Sequence, residues 1–106
     1  IKMKNLFIEF KSCKKVYDST VDGIEPKDFH RCCDQFNNTL TVVKSDDYIA
    51  GGFSDQSWSG TQWKKSSKSF LFSLNRIKKY LIKDFNNAFY CHPDFFPIFG
   101  SFIKRW

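Results

Sequence analysis

The chain has 106 residues, with 17 Lys plus Arg against 11 Asp plus Glu and a formal net charge of +6. Hydrophobic residues make up 42% and aromatic residues 19%, with 13 Phe, and this composition excludes a disordered polar tail. A chain of this length can bury roughly two thirds of its unfolded surface. We therefore predict one domain, residues 1–106, that needs neither disulfides nor a structural metal.

The sequence contains no segment that fits a membrane span or a secretory signal. The longest uncharged stretch outside the glycine- and serine-rich region, Phe95 to Ile103, is shorter than the about 18 apolar residues that a span requires. Charged residues interrupt the one candidate for a signal peptide: Lys2, Lys4, Glu9 and Lys11. We expect a cytoplasmic or nuclear protein without membrane insertion. Because the first residue is Ile1, we also expect a processed product or a segment of something longer.

The first 18 residues carry two apolar groups without a clear period. Leu6, Phe7, Ile8 and Phe10 fit a strand or a helix equally well, whereas Val16-Tyr17 is typical of a short strand. The sequence leaves the structure of this region undecided.

The clearest helix signal runs from Pro26 to Phe36. Glu25 lies at the predicted N-cap, Pro26 occupies the first turn, where its missing N–H costs nothing, and Asp28 suits the positive helix start. Apolar residues follow the spacing i, i+3, i+4, i+7: Phe29, Cys32, Cys33 and Phe36. The pattern predicts a helix that buries one face and ends at Asn37-Asn38.

Strand signals begin at residue 39. The apolar and β-branched stretch Leu40–Val43 is followed by turn residues at Ser45–Asp47, and apolar character resumes at Tyr48–Ala50, which predicts a hairpin over residues 39–53. Gly51-Gly52 then indicates a bulge or a close backbone approach.

The second half of the chain alternates between loop and strand signals. Residues 54–68 are rich in Ser, Gly, Gln and Lys and predict a loop that is anchored by Trp58 and Trp63. Residues 69–74 predict a strand buried on both faces. Further short strands are predicted at 79–82 and 88–91, separated by residues 84–87, and their spacing suits a β-sandwich.

Several cysteines and histidines could in principle form a metal site or a catalytic pair: His30, Cys32, Cys33, Cys91 and His92. The sequence lacks the paired Cys-x2-Cys or His-x3-His spacing of structural zinc, and adjacent cysteines on an apolar helix face are typical of core residues with reduced thiols. We therefore expect no metal, no cofactor and no Cys–His nucleophile. We interpret His30 as a residue at the helix rim that hydrogen-bonds the helix to a loop. A thiol-based antioxidant enzyme that uses Cys32, Cys33 or Cys91 is an alternative that requires an exposed thiol of lowered pKa.

Other enzyme classes find no support in the sequence. Gly51-Gly52 and Gly60 do not form a phosphate-binding motif, and the chain has only two Glu, so neither a nucleotide site nor an acid/base enzyme is indicated.

Nucleic-acid binding is the main alternative that composition suggests. Basic residues occur in ones and twos along the chain: Lys14-Lys15, Lys64-Lys65, Lys68, Lys78-Lys79 and Lys104-Arg105. Near Trp58 and Trp63 they could contact phosphates while the indoles stack on bases. Dispersed lysines are, however, also typical of an ordinary solvated surface.

Short motifs in a fixed order carry a resemblance to a known family. They are Asp22-Gly23-Ile24, Phe29-His30, Cys33-Asp34, Thr39–Lys44, Tyr48–Phe53, Ser57-Trp58, Ser69–Leu74 and Phe99-Gly100, with an approximate match at Ala88–Tyr90. Over about residues 15–100 this series resembles the TLDc domain of the oxidation-resistance protein family. The resemblance implies a mainly β fold: a two-sheet antiparallel β-sandwich flanked by short helices.

The resemblance also implies a non-enzymatic function. Members of the family protect cells against oxidative damage, and several bind the vacuolar proton ATPase and control the assembly of its two sectors. We therefore expect a protein-interaction module whose partner is a protein such as a subunit of that ATPase, with nucleic acid as the alternative partner.

The chain departs from the family at its end. Members usually have a glycine-rich stretch after Phe-Gly, then a His-Asp pair and a final strand, whereas Ser101–Trp106 follow here, and Phe96 replaces a common Gly. If the chain is the whole protein, we expect an incomplete sandwich with an open edge and an apolar patch over residues 95–106 that either is covered by another chain or drives aggregation.

Five residues are candidates for the interaction surface: Asp22, Gly23, His30, Trp58 and Trp63. For Trp58 and Trp63 the sequence leaves a second interpretation open, in which both indoles anchor the core or a loop.

Overall fold

A computed structural model describes residues 12–100 of the chain. Two helices come first: α1 (Ser19–Asp22) and α2 (Pro26–Cys33). Seven strands follow: β1 (Thr39–Ser45), β2 (Tyr48–Ser54), β3 (Gln62–Lys64), β4 (Phe70–Ser73), β5 (Lys78–Leu81), β6 (Phe89–Cys91) and β7 (Ile98–Phe99). A 3-10 turn at Phe85–Asn87 joins β5 to β6. None of the helices in this part of the chain is long and apolar enough to cross a membrane.

The strands form two antiparallel sheets. The large sheet has the order β1-β2-β4-β5 and the small sheet the order β3-β6-β7. The sheets face each other where the Phe99 ring of β7 lies over Gly52 of β2. The predicted mainly β, two-sheet fold with short flanking helices is confirmed.

Helix α2 begins where the sequence predicts and ends earlier. Its N-terminal cap uses Asp28, whose carboxylate accepts a hydrogen bond of 3.2 Å from the backbone N–H of Glu25. The helix ends at Cys33, and the chain then turns through Asn38, which has a φ of 57°. The prediction that Phe36 belongs to the buried helical face is therefore wrong, since Phe36 lies beyond the helix and is 36% exposed.

The N-terminal part of the described chain contains one element that the sequence did not indicate. Val16-Tyr17 forms no strand and instead packs against the core in an irregular segment. A single helical turn, α1, follows, and the Asp18 carboxylate caps it by accepting from the N–H of Thr20 at 3.0 Å. The undecided residues Leu6–Phe10 lie outside the described residues.

The predicted hairpin is present and has no bulge. The pairing runs without interruption from Thr39–Ser54 to Ser45–Tyr48. The bulge that Gly51-Gly52 suggested is therefore wrong, but the close approach is confirmed. A Cβ at Gly52 would lie 2.6 Å from the Phe99 ring, and one at Gly51 would lie 2.6 Å from the Phe72 ring.

The segment 54–68 is not a loop throughout, because β3 lies inside it and carries Trp63. The predicted strands near 70–73, 79–81 and 89–91 are confirmed as β4, β5 and β6. Residues 85–87 form a 3-10 turn.

The core lies between the two sheets and under α2. Trp58 is its centre: only 1% of its surface is exposed, and its ring meets Phe29 of α2, Phe89 of β6 and Phe99 of β7 at centroid distances of 6.3, 4.9 and 5.2 Å. The indole N–H donates to the Thr39 hydroxyl at 3.1 Å, so the buried polar atom is satisfied.

Candidate surface on the small sheet

The outer face of the small sheet carries apolar side chains where a solvent-facing sheet surface ordinarily carries polar ones. In β6, Phe89 and Cys91 are fully buried against the core, so Tyr90 between them projects outward. The strand register places Trp63 of β3 on one side of Tyr90 and Ile98 of β7 on the other. Three apolar side chains therefore lie side by side across this face.

The rings continue beyond the strands into the turn after β6. Trp63 meets Tyr90 at a centroid distance of 5.0 Å, and Tyr90 lies 6.2 Å from His92 and 6.4 Å from Phe95. His92 and Phe95 are 4.6 Å apart. We call these four residues, Trp63, Tyr90, His92 and Phe95, the aromatic row.

The aromatic row is open at both ends. Trp63 is 39% and Phe95 45% exposed. Contiguous exposed apolar surface of this kind marks protein interaction sites, and aromatic residues dominate the energetic centres of such interfaces. The row offers an apolar binding area.

His30 connects α2 to the aromatic row. Its Nδ1 lies 2.7 Å from the Asp34 carboxylate and its Nε2 2.9 Å from the carbonyl oxygen of Phe95. Both partners are acceptors, so the ring nitrogens are the donors of these contacts. The interpretation of His30 as a bridge from the helix to a loop is confirmed, and the loop is the one that carries Phe95.

His92 has the opposite hydrogen-bond pattern. The backbone N–H of Asp94 donates to its Nδ1 at 3.0 Å, so this nitrogen is the acceptor of the bond. The Asp94 carboxylate is 3.9 Å from the same nitrogen, which is too long for a hydrogen bond. The two histidines therefore provide a natural comparison.

Asp22 and Gly23 hold the α1–α2 connection together. The Asp22 carboxylate accepts from the backbone N–H of Asp18 at 2.8 Å, and the Gly23 carbonyl accepts from the Tyr17 hydroxyl at 2.6 Å. Gly23 has a φ of 120°, and a Cβ there would overlap the Asp28 carboxylate, so only glycine fits. The polar groups of both candidates are thus engaged within the chain.

The exposed apolar side chains beside Asp22 and Gly23 were missed by sequence reasoning. Val21 and Ile24 are both more than three quarters exposed. In the sequence, the indication of this exposed pair is that an aliphatic residue stands on each side of Asp22-Gly23. A search for polar motifs does not detect such a pattern.

The structure separates the two tryptophan candidates. Trp63 lies on the surface in the aromatic row, whereas Trp58 is enclosed by the core and provides no surface for a partner. Of the five candidates, His30 and Trp63 are joined through the aromatic row, and Asp22 and Gly23 lie apart from it at the α1–α2 connection.

The burial of Trp58 also weakens the arrangement that nucleic-acid binding required. That arrangement needs both indoles on the surface, but only Trp63 is available to stack on bases. Lys64, the lysine next to Trp63, turns inward and donates to the carbonyl of Ser57.

The cysteines are free thiols, and two of them are buried. Burial raises the pKa of Cys33 to about 12 and also raises the pKa of Cys91. A thiol that stays protonated and enclosed is a poor nucleophile, so neither residue meets the requirement of a thiol-based enzyme. Within residues 12–100, no three His, Cys, Asp or Glu side chains come together as a metal site.

Comparison with known proteins gives one match. A family model for the TLDc domain matches residues 2–105, nearly the whole chain. Searches of curated proteins and of solved structures found no match.

Proposed function

The chain belongs to the TLDc domain family, and from this premise we propose that it is a non-catalytic protein-interaction module whose partners are subunits of the vacuolar proton ATPase. The family is associated with resistance to oxidative stress. In this proposal the chain contributes to that resistance by binding another protein, with no reaction of its own.

One observation carries the proposal: the aromatic row on the outer face of the small sheet. Four rings connected through Tyr90, with Ile98 beside them, form an apolar surface on a sheet face that would otherwise be polar. Aromatic anchors of this kind favour a protein partner, because their burial supplies a large part of the binding free energy of an interface.

The aromatic row is also held in place before a partner binds. The cross-strand pair of Trp63 and Tyr90 is fixed by the β3–β6 register, and Phe95 is fixed by the hydrogen bond of its carbonyl to His30. A surface that is already ordered loses little conformational entropy on association. This ordering supports a binding role for the row.

The test is direct binding between the purified chain and the purified sectors of the vacuolar proton ATPase, at about 0.1 M and about 0.5 M salt. We expect binding at both concentrations, since an apolar interface is screened little by salt. The double substitution Trp63→Ser/Phe95→Ser should weaken it at least about tenfold, as expected for the loss of two anchors. Tyr48→Ser is the matched control, because Tyr48 is a similarly exposed aromatic residue at the far end of the large sheet.

Two results would contradict the proposal. One is equal binding by the double variant and by the Tyr48 control, which would remove the aromatic row from the interface. The other is binding only to an oligonucleotide that is lost at the higher salt, which would favour the nucleic-acid alternative.

A further inference from the structure

Strand β5 is an outer strand of the large sheet. Among residues 12–100 it pairs with β4 alone, from Phe70–Leu81 to Ser73–Lys78. All four of its residues are exposed, and Leu81 keeps 73% of its surface accessible. One side of the strand therefore offers backbone N–H and C=O groups to a further strand.

A cleft lies along this edge. Its volume is about 690 Å³, and its lining includes the apolar side chains of Tyr80, Leu81, Ile82 and Phe85. Leu81 and Phe85 are both more than half exposed. The cleft could accommodate side chains from an added strand, because apolar pockets beside an edge give specificity in strand addition.

The charged residues of β5 and of the cleft lining are all lysines. Lys78 and Lys79 lie in β5 and Lys83 lines the cleft. None of the three forms an ion pair with a carboxylate of the described residues. Lys78 instead lies over the Tyr80 ring at 5.5 Å and Lys79 over the Phe70 ring at 4.4 Å. The edge therefore combines unpaired backbone groups with uncompensated positive charge.

This combination selects among possible occupants. A second copy of β5 would bring two positively charged strands together, which like charge disfavours, and edge lysines commonly prevent such self-association. A nucleic acid could neutralise the lysines, but its phosphodiester backbone cannot continue the N–H and C=O ladder of a sheet. An acidic peptide segment satisfies both the charge and the ladder.

We propose that β5 binds an extended segment of a partner protein that is acidic at its ends and apolar at its centre, as an added fifth strand of the large sheet. This order of acidic and apolar residues in the segment complements the edge, where Lys78-Lys79 precede Tyr80-Leu81 and Lys83 follows. This site is separate from the aromatic row and does not depend on it.

The test uses a fluorescent peptide of the sequence Glu-Val-Ile-Val-Glu-Glu, blocked at both ends, with Lys-Val-Ile-Val-Lys-Lys as its charge-reversed counterpart. We expect saturable binding of the acidic peptide alone, together with slowed amide exchange at residues 78–81. The double substitution Lys79→Glu/Lys83→Glu should weaken that binding at least about tenfold, since each change converts an attraction into a repulsion, and should allow the basic peptide to bind.

The matched control is Lys44→Glu on β1, the opposite edge of the same sheet, which should leave binding unchanged. Equal binding of the two peptides, slowed exchange at β1 in place of β5, or an absence of saturable binding would overturn the proposal. An oligothymidylate that displaces the peptide without slowing exchange at residues 78–81 would assign the lysines to nucleic acid and overturn it as well.

Discussion

Cys33 shows how the burial of a single residue affects the stability of the fold. Cys33 is the last residue of α2 and its side chain is buried. This burial raises the pKa of its thiol from 9.0 to about 12. In the unfolded chain the thiol ionises from about pH 9, whereas the folded chain keeps the proton to about pH 12. The stabilising contribution is therefore complete below pH 9 and is lost as the pH rises towards 12.

This linkage predicts a steep alkaline loss of stability. Over that interval the free energy of unfolding should fall by up to about 1.4 kcal/mol for each pH unit on account of Cys33. Urea unfolding between pH 8 and pH 10.5 should show this slope in the parent chain and a shallower one in Cys33→Ala, which retains the Cys91 contribution. Equal slopes for the two proteins would show that Cys33 ionises as readily in the folded chain as in the unfolded one.

Gly52 is required by the distance between the two sheets. Because a Cβ there would lie 2.6 Å from the Phe99 ring, Gly52→Ala should destabilise the chain by about 1–3 kcal/mol. Phe99→Leu makes room, so the same Gly52 substitution should cost clearly less in that background. Chemical denaturation of the four proteins of this double-mutant cycle checks the coupling. If Gly52→Ala lowers the stability equally in the parent chain and in the Phe99→Leu background, the Phe99 ring is not the group that the added Cβ overlaps.

At the scale of elements, His30 joins α2 to the turn between β6 and β7. Because its two ring nitrogens lie within hydrogen-bond distance of the Asp34 carboxylate and the Phe95 carbonyl, His30→Ala should cost about 1–3 kcal/mol of stability. Amide exchange in residues 92–97 should become faster than in the parent chain. His92→Ala is the comparison, because it removes the bond from the Asp94 N–H and the ring contact with Phe95 but leaves both hydrogen bonds of His30 in place. Similar exchange rates in the two variants would contradict the role of His30.

Local sequence signals predict where several elements begin and fail where a distant contact decides the outcome. The start of α2 follows from Glu25, Pro26 and Asp28, all within one turn. Its end does not, because the Asp34 carbonyl beyond the last turn accepts from the hydroxyl of Ser57, 23 residues away. A helix end that is fixed by a loop so distant in the chain leaves no periodic signal.

The candidate surface could not be predicted from the sequence for the same reason, because it depends on contacts between distant parts of the chain. Trp58 and Trp63 lie five residues apart in a serine-rich segment, and sequence reasoning treats them alike. Their different environments depend on pairing, because β3 joins β6 through Trp63–Tyr90, whereas Trp58 packs between α2 and the small sheet. The three-residue strand β3 is too short to show alternation, so its outer face, and with it the aromatic row, was not predictable.

At the scale of the whole molecule, the chain combines a sandwich core centred on Trp58 with two different surfaces. The aromatic row lies on the outer face of the small sheet, and the basic edge of β5 lies at one end of the large sheet. The net charge of +6 is consistent with the second surface and does not explain the first. An apolar row on a basic protein favours a protein partner over a polyanion that binds through its charge alone.

We propose the aromatic row as the interface with the proton ATPase. The most direct measurement is amide hydrogen exchange of the chain with and without the purified peripheral sector of that enzyme. If the aromatic row binds the enzyme, amide exchange should be slower in residues 62–64 and 89–99 and unchanged at the β1–β2 turn. Slower exchange confined to residues 39–54, or no change anywhere in the presence of the sector, would contradict it.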